Sequence, residues 1–128
     1  MSEDIALRRS IGIVFADGGL LALTAVRPAG AGDHGAEELV AILCDPDAAP
    51  VEFFEALLST EYGPDGVQRR ATLELWPDEH GQPLRGAGNL ISSSAVHRPG
   101  LDSTIAFFRW SVQGRDGLGH YEVVRAGG

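Results

Sequence analysis

Thr104-Ile-Ala-Phe-Phe-Arg-Trp-Ser-Val-Gln113, Gly114-Arg-Asp-Gly117, Leu118-Gly-His-Tyr-Glu-Val-Val-Arg125: these three consecutive pieces decide the fold. In the first, Ile105, Phe107 and Arg109 alternate with Ala106, Phe108, Trp110 and Val112. A period of two is the signature of a strand whose successive side chains point to opposite faces. In the third, His120, Glu122 and Val124 share one face, while Tyr121 and Val123 share the other. The glycine-bounded piece between them supplies the positive φ that tight turns need, so the chain ends in an antiparallel hairpin.

The same rhythm runs back toward the N-terminus. Leu84 to Ser92 reads as a weaker, glycine-interrupted strand, and Ser93 to Gly100 as a polar loop. Arg69 to Trp76 sets Ala71, Leu73 and Leu75 against Thr72, Glu74 and Trp76, after a turn at Gly63-Pro-Asp-Gly66. Glu38 to Cys44, Leu20 to Arg27 and Arg9 to Phe15 complete the set, the last with Ile11, Ile13 and Phe15 on one face. Val51 to Tyr62 admits two readings. Val51, Phe54, Leu57 and Leu58 have helical spacing, but turn signals bound the segment tightly and a strand fits the meander better. Eight sequential strands with short connections make an all-β protein. They most economically close into an eight-stranded antiparallel up-and-down barrel, which removes exposed edges.

A chain of 128 residues fits a single domain over 1–128. The net charge is −8 and every one of the 10 basic residues is Arg. Arg8-Arg9 and Arg69-Arg70 are isolated pairs whose members alternate between faces, so no basic stripe offers itself to phosphates. Nucleic acid and membrane are therefore not expected partners. No apolar run approaches the roughly 20 residues of a membrane-spanning helix, and the N-terminus is acidic. With Cys44 the sole cysteine, a cytoplasmic location is expected.

Two stretches carry a family resemblance. Thr60-Glu-Tyr-Gly-Pro-Asp-Gly-Val-Gln-Arg-Arg-Ala-Thr-Leu-Glu-Leu-Trp76 is one; Phe107-Phe-Arg-Trp110 with Gly114-Arg-Asp-Gly-Leu-Gly-His-Tyr-Glu122 is the other. Together they resemble the C-terminal half of the lipocalin-like superfamily that includes carotenoid 1,2-hydratase (hydroxyneurosporene synthase) and fungal Diels–Alderases. The likeness extends over about Ile11 to Arg125. It implies a lipocalin-like, calycin-type barrel that shapes and protonates a hydrophobic polyene or polyketide-derived substrate without metal or nucleotide. Family members carry two barrels side by side, and this chain has length for one. The resemblance thus also implies a homodimer, with a pocket inside each barrel.

Candidate site residues follow from which side chains an apolar pocket would use. Phe108 and Trp110 share a strand face with Val112, and Trp76 lies beside Glu74. Aromatic walls with a few polar groups suit an apolar ligand, although small barrels also fill their interiors with such residues. Tyr62 and Tyr121 could donate hydrogen bonds to a carbonyl, or belong to the core. A lumen-facing Glu122 would be raised in pKa by desolvation and could act as general acid or base, supported by His120 or Tyr121; an ion pair with Arg109 or Arg125 is the structural alternative, and Glu74 beside Trp76 is a second candidate under the same argument. His34, His80, His97 and His120 are scattered without ligand spacing, so neither metal nor cofactor is expected. Ser92-Ser-Ser94 lacks a nucleophile elbow, and the glycine clusters do not open a helix that could hold phosphate. Two functions fit. One is a cofactor-independent cyclase or isomerase of secondary metabolism acting on a hydrophobic molecule in the barrel. The other is a non-catalytic binding or interaction module on the same scaffold.

Overall fold

The computed structural model describes residues 5–28 and 37–126. Their regular structure is all strand: β1 (Ile5–Phe15), β2 (Leu20–Pro28), β3 (Glu38–Cys44), β4 (Val51–Glu52), β5 (Glu55–Tyr62), β6 (Gln68–Trp76), β7 (Leu84–Arg98), β8 (Leu101–Val112) and β9 (Arg115–Ala126). Hydrogen bonding orders them β4-β3-β2-β1-β9-β8-β7-β6-β5, every pair antiparallel. The first and last strands are thus neighbours in the middle of the sheet, and the two margins are consecutive in the chain. Phe53 donates its amide to Ala41 of β3 (3.0 Å), and Phe54 donates to Trp76 of β6 (2.7 Å). Adjacent amides therefore bind opposite margins, which curls the sheet into a barrel-like shape.

That junction corrects the strand count from eight to nine. Val51 to Tyr62 is neither one strand nor a helix; it breaks at Phe53–Phe54 into β4 and β5. Phe53 turns into the core, while Phe54 is 61% exposed. A straight strand could not serve both margins, so the chain kinks where it passes from one to the other.

β1 begins at Ile5, earlier than the Arg9 expected, and two turns also differ from the sequence reading. The β8–β9 turn is Gln113-Gly114, tighter than the Gly114 to Gly117 turn expected. Both residues have positive φ (49° and 78°), the mirror-image turn whose twist matches flanking strands. Gln113 is not glycine, but its side-chain oxygen accepts the Arg85 amide at 2.8 Å, which offsets the strained backbone. The expected polar loop from Ser93 to Gly100 is strand up to Arg98, with only Pro99 and Gly100 left for the turn. The serines there mark solvent on both faces; the ladder with β8 fixes the backbone regardless of side-chain polarity.

Alternation sends Ile11, Ile13, Leu21, Leu23, Leu73, Leu75, Phe108, Trp110, Tyr121 and Val123 inward, each at most 2% exposed. Phe108 lies between Trp110 (ring centroids 5.1 Å) and Tyr121 (5.7 Å, edge-on), so three aromatic rings fill the middle of the interior. Gly88 faces the Trp110 ring, where a Cβ would come within 2.5 Å of it. The void that remains inside, between Phe15, Leu21, Phe53, Leu75 and Val112, is about 90 Å³. Ligand pockets for small molecules run to about 300–1,000 Å³, so this interior is a packed core. No helix among the described residues is long and apolar enough to cross a membrane.

Candidate functional site

The larger concavity lies outside the barrel, across β2, β1, β9 and β8. The alternation that buries Phe15 and Phe108 turns Val14 (61% exposed), Leu20, Phe107 and Leu118 to the outer face. Register brings these residues together: Val14 stands opposite both Leu20 and Leu118, Phe107 opposite His120, and His120 opposite Gly12. Gly12 is the floor. A Cβ there would sit 2.7 Å from His120 Cε1, so the imidazole lies over the space that a side chain at this position would claim. On the inner side, a Cβ at Gly119 would overlap the Gly12 carbonyl, so β1 and β9 approach more closely than side chains would permit. The result is a groove of about 870 Å³, apolar along Val14, Leu20, Phe107 and Leu118, with Arg109, Asp116 and His120 as its polar groups.

A second constellation closes one end of the barrel. Tyr121 Oη and Thr60 Oγ1 are hydrogen-bonded at 2.6 Å, and the Arg9 guanidinium donates to both at 3.5 Å while pairing with Glu37. Burial pushes the Tyr121 phenol up to about 12, against the opposing pull of Thr60 and Arg9. Burial alone would lower the Arg9 pKa, but Glu37 and Tyr121 more than reverse it, so it stays charged. Gln68, fully buried, donates to the carbonyls of Tyr121 (3.0 Å) and Thr104 (3.2 Å), leaving its own oxygen without a partner. Among the described residues Trp110 Nε1 is the other buried side-chain polar atom without one. At the opposite end Arg115 donates to Asp17 and Asp45 at 2.7–2.9 Å and covers the Phe15 ring at 4.4 Å. Its pKa is raised by the hydrogen bonds to Asp17 and then Asp45, and that of Asp17 is lowered by the same contact.

The sequence-predicted residues separate by face. Glu122 and His120 do share one side of β9, but it is the outer side, so the lumen-facing carboxyl is corrected. Glu122 accepts a hydrogen bond from Ser103 at 2.9 Å, and it pairs with neither Arg109 nor Arg125. Tyr121 points inward, away from both. Trp110 and Phe108 are core. Trp76 and Glu74 lie half-buried on the outer side of β6, with Glu74 paired to Arg85 at 2.9 Å. Tyr62 is exposed near the barrel end, where Arg125 sits 5.4 Å from its ring centre. Of the predicted set only His120 lines the groove.

Val14, Leu20, Phe107, Arg109, Asp116 and Leu118 escaped the sequence reading. The available signal was the second apolar face of Thr104 to Gln113, where Ile105 and Phe107 match the inward residues in hydrophobicity. Among the described residues no three His, Cys, Asp or Glu side chains gather as a metal-ligand set. Comparison with protein-family models gives no match, and comparison with curated proteins gives none either.

Proposed function

We propose that the chain is a binding module that receives a small apolar molecule with a polar end in the external groove. One observation carries the reading: the groove has ligand size and an apolar wall, while the interior is filled by Phe108, Trp110 and Tyr121. The ligand's apolar body lies along Val14, Leu20, Phe107 and Leu118, and its polar end meets Arg109 or His120. Among the described residues Arg109 makes no ion pair, which leaves its guanidinium to take a carboxylate. Kinship with the lipocalin-like superfamily and a cytoplasmic location belong to the same proposal.

A second reading, the cofactor-free cyclase or isomerase, is favoured by His120, an imidazole held over Gly12 inside an apolar groove. There it could move a proton on a bound hydrophobic substrate, and Glu122, hydrogen-bonded to Ser103, would not take part.

A fluorescent polyene fatty acid tests the binding reading. Its emission should rise on titration, and Leu118→Asp should weaken binding by about tenfold or more, about 1.4 kcal/mol, by placing a charge against the chain. Arg109→Gln should weaken the acid more than the corresponding alcohol. Affinity indifferent to both Leu118→Asp and Phe107→Asp would remove the groove as the site.

A further inference from the structure

We propose that two copies of this chain associate by pairing the open edge of β7 antiparallel across a twofold axis, continuing the sheet from one protomer into its partner. The ladder between β6 and β7 ends at Arg70–Asn89, yet β7 runs on to Arg98 with β8 as its one neighbour among the described residues. A bulge at Leu90/Ser92 re-aims the strand just where β6 leaves it, and residues 91–98 are all exposed. Such an edge is normally blunted by proline, lysine or inward charge. Ile91-Ser-Ser-Ser-Ala-Val-His-Arg98 has neither proline nor lysine; its charge, Arg98, and its bulge, at Leu90/Ser92, stand at its two ends with Ser93 to His97 between them.

Charge singles out a second copy as the occupant. The chain is at −8, so most ways of bringing two copies together oppose carboxylates. β7 carries no Asp or Glu from Leu84 to Arg98, so edge-to-edge pairing here avoids that repulsion. The two-residue turn at Pro99 and Gly100 makes Arg98 and Leu101 a hydrogen-bonded pair. By alternation, Val96, Ser94 and Ser92 direct their backbone groups at β8, and Ser93, Ala95 and His97 direct theirs at the open side. A register centred on Ala95 sets it against the partner's Ala95, and Ser93 against the partner's His97. Every such pair exchanges both its backbone bonds, and no like charges face each other.

Light scattering at micromolar concentration, joined to amide hydrogen exchange, tests this. The native chain should weigh twice 13.5 kDa, with slow exchange at Ser93, Ala95 and His97 that speeds up on dilution. Ala95→Pro removes an outward N–H without breaking the β8 ladder, so it should give 13.5 kDa with the strand circular dichroism retained. A native mass of 13.5 kDa with fast exchange at these amides overturns the proposal. So does a dimer that survives Ala95→Pro. Should that variant not fold, exchange in the native chain decides: fast amides in a dimer would place the contact elsewhere. Leu118→Asp, at the groove, should leave the mass unchanged.

Discussion

The two faces of β9 each present apolar side chains and meet opposite surroundings. Inward, Tyr121 and Val123 are at most 1% exposed, packed against Phe108 and its neighbours. Outward, Leu118 is 44% exposed beside His120, in a groove whose floor is glycine. Apolar side chains stand on both faces, and curvature is what sets their surroundings apart. The inner face converges on a shared axis where aromatic rings fill the space. The outer face diverges, so its apolar side chains spread and leave room between them. The inner face is therefore scaffold and the outer face is the surface available to a ligand.

The largest expected effect breaks the scaffold. Trp110→Ala removes an indole that is 1% exposed and leaves a cavity beneath Gly88, at a cost of roughly 3–5 kcal/mol in unfolding free energy. Denaturant titration should show the unfolding free energy falling by that amount and the midpoint shifting down with it, with groove binding retained by whatever fraction stays folded. A loss of affinity out of proportion to unfolding would move ligand contact to the interior.

Tyr121→Phe should cost about 1 kcal/mol, since the phenol's hydrogen bond to Thr60 is lost while its ring stays packed. It should also alter the alkaline limb of stability. Burial raises the folded phenol to about 12, above the ordinary tyrosine value of 10.0. Between those pH values the unfolded chain releases this proton and the folded one keeps it, so stability falls as pH rises through that window. The Phe variant should fall less steeply in thermal melts across the same range. Equal slopes would mean that Tyr121 is ionised as readily in the fold as out of it.

Glu122→Gln gives the smallest effect. The amide oxygen can still accept from Ser103, on a half-buried outer position, so stability should move by no more than about 0.5 kcal/mol. Polyene binding should be unchanged too. A tenfold change in affinity would extend the groove toward Ser103 and Glu122.

Much of the strand plan was legible because alternation is local. Ile11-Ile13-Phe15, Ala71-Leu73-Leu75 and Phe108-Trp110-Val112 each announce one buried face, and the turns between strands are marked by glycine, proline and aspartate. Pairing His120 with Glu122, opposite Tyr121, followed from the same parity. Which face of the β8–β9 hairpin was inner did not follow, because on β8 Ile105 and Phe107 are as apolar as Phe108 and Trp110. Nor could the polarity of Ser92-Ser-Ser94 distinguish a loop from a strand wet on both sides.

The sequence by itself determined that this chain is all-β, where β2, β3 and β6 begin and end, and which side chains share a face, because each depends on neighbours two residues apart. Only the tertiary structure decided that β1 and β9 lie side by side, with Gly12 beneath His120 and Val14 beside Leu118. Those contacts join residues about a hundred positions apart. They exist because the margins at Phe53–Phe54 meet and curl the sheet, a condition set by the whole ladder of hydrogen bonds at once.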